Sequence, residues 1–136
     1  MAKAFVDSNV VLYLFADDEK AALAEALFAE EPVVSVQVLN EVCNVLRRKS
    51  KLTWRNTVQA MDLITSLCRV EPLTLPVHRE GVRLAQRYAL SVYDAMIAAA
   101  ALVSGCDVLY SEDMQHGLNV DRRLKIINPF RDAKSR

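Results

Sequence analysis

Four carboxylates stand where a chain segment changes character. Asp7 ends the short apolar run around Phe5-Val6 and opens Ser8-Asn9-Val10-Val11-Leu12-Tyr13-Leu14, an apolar stretch of helical length. Glu41 lies within two turns of Val33-Val34-Ser35-Val36, and Asp113 follows Val108-Leu109-Tyr110 by way of Ser111-Glu112. Asp94 is the one charge in the apolar stretch from Val92 to Val103. Each acid alone has an ordinary explanation, because Asp and Ser cap helices and Ser91-x-x-Asp94 reads as a capping box with a shortened acid. Together they are explained more simply by convergence. Carboxylates about 4 Å apart repel by roughly 1 to 4 kcal/mol per pair, depending on the local dielectric, so such a group holds a proton or a cation. Oxygen ligands without His or Cys in the same motifs favour Mg²⁺, with Mn²⁺ able to substitute, over Zn²⁺. Magnesium takes only one or two carboxylates directly, which makes Asp7 and Asp94 the expected direct ligands and leaves Glu41 and Asp113 to act directly or through water. The chemistry of such an ion is polarisation of a phosphoryl oxygen and activation of water for in-line attack on phosphorus.

The elements that would bring these acids together alternate along the chain. Short β-branched or apolar runs at 4–6, 33–36, 106–110 and 124–127 read as buried strands. Between them, Leu39, Val42, Cys43 and Leu46, then Ala60, Met61, Ile64, Leu67 and Cys68, then Gly81, Leu84, Ala85 and Tyr88 recur at helical spacing. The stretch 71–76, bounded by Pro72 and Pro76, reads as an edge strand, since proline is confined to sheet edges. Ser91 to Gly105 is apolar nearly all round, which places it at the centre of the fold. Strands alternating with helices predict an α/β fold: three layers, with helices on both faces of a mainly parallel sheet of about five strands. In such a sheet the strands share one carboxyl edge, and the four acids can meet there.

The totals narrow the function. A chain of 136 residues, 52% hydrophobic, fits one domain over 1–136, with 131–136 a frayed tail. Seventeen basic residues balance seventeen acidic ones, so there is no global positive field and any nucleic-acid contact is local. Arg47 and Arg48, and the series Arg79, Arg83 and Arg87, are the candidate backbone-binding groups, although a solvated helix face is the more common reason for such residues. A segment too short for a secretory signal precedes Asp7, and no apolar run reaches spanning length, so a cytoplasmic protein without membrane contact is expected. Cys43, Cys68 and Cys106 read as buried reduced thiols, and His78 and His116 as loop or surface residues.

The motifs Asp7-Ser8-Asn9-Val10-Val11-Leu12-Tyr13, Val38-Leu39-Asn40-Glu41-Val42, Tyr93-Asp94-Ala95-Met96-Ile97-Ala98 and Tyr110-Ser111-Glu112-Asp113, followed by Asn128-Pro129-Phe130, resemble the successive acidic motifs of PIN-domain ribonucleases. The likeness spans nearly the whole chain in order and is nearest to VapC, the toxin of VapBC toxin–antitoxin pairs. The resemblance implies a PIN-like fold and a magnesium-dependent endoribonuclease, usually a homodimer, silenced by a small VapB-like antitoxin whose C-terminal segment wraps the toxin. It makes Asp7, Glu41, Asp94 and Asp113 the acidic tetrad, with Asn9 and Ser111 as accessory polar groups. Ser8 stands where Thr is common and Tyr93 where Trp is common. The fourth motif is the least uniform in the family, and Glu112 could share the role of Asp113.

Two rivals remain. A phosphatase or phosphotransfer domain could use Asp7 as phosphoacceptor, but haloacid-dehalogenase-like enzymes want a second acid two residues on, where this chain has Asn9. A non-catalytic RNA-binding or protein-binding module would have little reason to keep four acids where phosphates arrive.

Overall fold

The structure, a computed structural model, describes residues 3–131. Of the tail expected over 131–136, only Arg131 falls among the described residues. Strand β1 (Ala4–Val6) lies in the middle of a sheet, with β2 (Val33–Ser35) on one side and β4 (Val108–Tyr110) on the other, all parallel. Beyond β2 lies β3 (Arg69–Glu71); beyond β4 lies β6 (Leu124–Ile127), and the two-residue β5 (Asn119–Val120) runs antiparallel at the far edge, giving the order β3-β2-β1-β4-β6-β5. Both faces of a parallel sheet are covered, which is why Phe5, Val6, Val34 and Leu109 are wholly buried despite pointing alternately to opposite sides.

The helices are α1 (Ser8–Leu12), tightening into a 3-10 turn over Tyr13–Phe15, then α2 (Glu19–Phe28), α3 (Val36–Arg48), α4 (Trp54–Leu67), α5 (Leu75–Tyr88) and α6 (Val92–Val103). Caps set most of their starts: Asp18, Ser35, Thr53, Thr74 and Ser91 each accept a backbone N–H from the first turn. The chain moves outward from β1 to β2 to β3, then returns across the sheet to β4 and on to β6. Right-handed crossovers therefore place α1 to α4 on one face and α5 and α6 on the other. Helix α6 is buried from Ala95 to Leu102 and packs on β2, β4 and β6 beneath α5. The two helices approach so closely that a Cβ at Gly81 would lie 2.3 Å from Met96 Sδ.

Three expectations need correction. The edge strand is Arg69–Glu71, ahead of Pro72 rather than between the prolines; Pro76 instead occupies the first turn of α5, where its missing N–H is not needed. Strand β5 escaped notice because two residues show no alternation, and its turn uses Asp121 and Arg122 in the left-handed region (φ 53° and 58°) in place of a glycine signal. Of the three thiols only Cys106 is buried; Cys43 and Cys68 are half-buried at the margins of their helices, and all three are free. Among the described residues no helix is long and apolar enough to cross a membrane.

Candidate carboxylate site

The sheet reverses its winding direction between β1 and β4, and at such a switch point the carboxyl ends of neighbouring strands diverge to leave a crevice. Asp7 occupies the β1 side and Ser111 the β4 side. The backbone fixes both: Asp7 N donates to Tyr110 O at 3.0 Å, and Ser111 N donates to Ile127 O at 3.0 Å. Asp7 is only 3% exposed. Its Oδ1 accepts from Ser8 N at 2.7 Å, and its Oδ2 accepts from Ser111 Oγ at 2.8 Å and Asn9 Nδ2 at 3.3 Å. Ser111 Oγ accepts in turn from the backbone N–H groups of Asp113 and Met114, so one wholly buried hydroxyl ties the post-β4 turn to Asp7.

Asn9 joins two of the acids. Its Nδ2 also donates to Asp113 Oδ2 at 3.1 Å, while its Oδ1 accepts from Glu112 N at 3.0 Å. From the other side of the crevice come Glu41 on α3 and Asp94 in the first turn of α6. Gln37 holds these elements in register, donating to Glu41 Oε2 at 3.2 Å and to Tyr93 O at 3.1 Å. The electrostatics report the proximity. Burial pushes the Asp7 carboxyl up to about 6; hydrogen bonds from Ser111 and Ser8 oppose the rise, and the charges of Glu41 and Asp94 add to it.

The structure thus brings Asp7, Glu41 and Asp94 within electrostatic reach and links Asp113 to Asp7 through Asn9. Glu112 is turned elsewhere: Tyr13 OH donates to it at 2.7 Å and Lys20 Nζ at 2.8 Å, and the Lys20 ammonium also lies 4.6 Å from the Tyr13 ring centroid and 5.5 Å from that of Phe130. Among the described residues no three His, Cys, Asp or Glu side chains are grouped closely enough to hold a metal ion by themselves. A carboxylate whose proton affinity is raised by burial and further by acidic neighbours, beside acids that stay open to water, suits a divalent cation that retains much of its hydration.

The arginines differ in their surroundings. Arg47 stacks 4.2 Å over the Trp54 ring, and Arg83 is held by Glu80 and Asp121; Arg48, Arg79 and Arg87 are exposed. His78 and His116 are exposed, and His116 Nδ1 accepts from Asn128 N at 3.0 Å, a loop contact. Burial pushes the Cys68 thiol up to about 11 and raises that of Cys106, the opposite of an activated nucleophile. Gln37, Tyr13 and Lys20 went unnoticed in the sequence. Gln37 sits one turn before Glu41 and could have been flagged, whereas Lys20 and Glu112 are 92 residues apart and share no local signal.

The family model described as PIN domain matches residues 4–117. No curated protein matches the chain. Among solved structures, a VapC20 from Mycobacterium tuberculosis, titled a sarcin-ricin loop cleaving toxin, is 26% identical, with 82% of this chain and 90% of that one covered at a TM-score of 0.67. A DNA-bound VapBC from Salmonella typhimurium is 17% identical over 95% of this chain and 99% of that one at a TM-score of 0.71. A toxin–antitoxin complex from Klebsiella pneumoniae is 18% identical over 93% and 98% of the two chains, also at 0.71. A family match over most of the chain, on a sheet whose switch point carries the acids, makes this protein a member of the PIN domain family.

Proposed function

We propose that the protein is a Mg²⁺-dependent endoribonuclease that hydrolyses phosphodiester bonds in RNA and acts as the toxin of a type II toxin–antitoxin pair. The observation that carries this reading is Asp7: a carboxylate buried at the switch point, with both oxygens held and its proton affinity raised by that burial and, to a smaller extent, by the charges of Glu41 and Asp94. Asp7 and Asp94 would hold the cation directly, with Glu41 and Asp113 acting directly or through water; Mn²⁺ should substitute. When bound, the cation polarises the scissile phosphate and eases deprotonation of the attacking water. The chain's own part is positioning. Ser8 and Ser111 prevent the Asp7 carboxyl from rotating, Asn9 couples Asp113 to it, and Gln37 keeps Glu41 beside the start of α6. Without a cation these acids repel an RNA backbone, so cutting and productive binding both require metal.

The likeness to the sarcin-ricin loop cleaving toxin VapC20 and to toxin–antitoxin complexes, a VapBC among them, supports a VapB-like antitoxin as partner. A homodimer acting in the cytoplasm completes the reading. Purified protein should cut RNA with Mg²⁺ or Mn²⁺ and stop in EDTA. Asp7→Asn and Asp94→Asn should each slow the cutting by at least about a hundredfold, the loss expected when a cation that stabilises transition-state charge is displaced. Equal cleavage by wild type and Asp94→Asn in matched preparations would sink the proposal.

A further inference from the structure

Beside Glu41 the surface opens into a cavity of about 340 Å³ lined by Gln37, Asn40, Glu41, Asn44, Leu73 and Tyr93. Four of these residues fall at i, i+3, i+4 and i+7 of α3, so one polar face of that helix forms a wall. Leu73, from the turn before α5, and Tyr93, from the start of α6, line the rest. The Tyr93 ring is 72% exposed, although the helix it begins is the most buried in the molecule. A single exposed aromatic is unremarkable in any protein. Here, however, it shares a cavity with Asn40 and Asn44, two exposed amides that make no hydrogen bond among the described residues. Folding uses neither the ring nor the amides, yet all three face the space adjoining an acid of the candidate site.

We infer that this cavity is a nucleobase subsite, which takes the unstacked base of a nucleotide next to the scissile phosphate; the inference rests on the ribonuclease reading and names what selects its substrate. Base edges present donors and acceptors side by side, and an asparagine amide answers with both. Their flat faces stack on exposed aromatic rings, which is how single-stranded RNA is gripped without a paired partner. Leu73 supplies apolar contact on the cavity wall. The position also resolves an electrostatic difficulty. Next to acids that repel phosphate, a neutral stacking contact adds affinity without adding charge. Asn44 lies about 4.5 Å along α3 beyond Glu41, so the base would lie to one side of the acids and leave the metal's place clear.

The test uses single-stranded RNA hexamers of A, C or U, together with a hexamer abasic at its central position, and measures anisotropy with the intact protein in Ca²⁺ to slow cleavage. Tyr93→Ala should weaken binding of the best hexamer by about tenfold, the scale of one base–aromatic stack, while Tyr93→Phe should restore it. Wild type should bind the abasic hexamer as weakly as Tyr93→Ala does, and Asn44→Ala should flatten the preference among A, C and U. Unchanged melting temperatures in all three variants separate lost contact from lost fold, since these side chains are exposed. Equal affinity of wild type, Tyr93→Ala and Tyr93→Phe for every hexamer would overturn the subsite, as would a Tyr93→Ala change confined to self-association in sedimentation. Failure of wild type to cut RNA in Mg²⁺ while the stacking effect holds would reject the nuclease reading and keep the base pocket, so the two failures are told apart.

Discussion

Asp7 is a source of strain in the folded chain that its neighbours only partly relieve. A carboxyl whose proton affinity rises from an ordinary 3.8 to about 6 costs the native state roughly 3 kcal/mol when ionised. Between those values the native chain binds more protons than the unfolded one, so in the absence of metal stability falls as pH rises from about 4 to about 6, and the full penalty persists above. Asp7→Asn removes that titration. The difference in unfolding free energy between Asp7→Asn and wild type in EDTA should therefore grow with pH over this range and level off beyond it, although Asn also sets an NH₂ against Ser111 Oγ and Asn9 Nδ2 and offsets part of the gain. Denaturant midpoints at several pH values check this, and a pH-independent difference would refute the assignment. A bound divalent ion should erase the trend by binding only the folded state. The four acids were legible because each follows a strand or opens a buried helix, and a charge in such a place needs a partner. Their supports were not. Asn9 looked like an accessory by motif alone, while Gln37 and Lys20 carry no spacing that reveals Tyr93 O or Glu112 as their partners.

At the scale of elements, the position of Asp94 depends on how α6 lies against α5. The close approach at Gly81 leaves no room for a methyl group: a Cβ there would meet Met96 Sδ at 2.3 Å, Cε at 2.9 Å and the α6 backbone at 3.2 Å. Gly81→Ala should destabilise the protein by about 1 to 3 kcal/mol despite alanine's better helix propensity, because overpacking outweighs it. The Met96→Ala background should recover much of that loss, since it removes the two nearest atoms; thermal unfolding of the four proteins in a double-mutant cycle measures the coupling. Additive effects would show that the helices yield freely. Periodicity located α3, α4 and α5, whose apolar residues recur on one face, just as unbroken apolarity located α6. It misplaced β3 because prolines at 72 and 76 look alike in a sequence, and only the structure shows that one ends an edge strand while the other starts a helix.

For the molecule as a whole, balanced charge means that the RNA affinity proposed above must come from few groups. The geometry sorts the arginines by how their charges are already engaged. Arg83 is neutralised by Glu80 and Asp121, whereas Arg87 is exposed in the last turn of α5, at the end of the hairpin from which α6 and Asp94 start. Arg87→Gln should lower the slope of log affinity against log salt by about 0.7 for single-stranded RNA, and Arg83→Gln should leave it unchanged. Identical slopes for both variants would remove Arg87 from the contact set. The overall topology was readable because alternation of strands and helices admits few connections, but the direction reversal between β1 and β4 was not, since strand order is set by pairings about 100 residues apart. That pairing also sets a schedule. Strand β1 is translated before the two strands that flank it, and it waits for the second of them until residues 108–110 have been made. A growing chain therefore carries Asp7 through the 104 residues that separate it from Ser111 without the hydroxyl that fixes it or Asp113 to join it. Each copy acquires its full acidic edge only once Asp113 has been made, so fragments released before that point lack it.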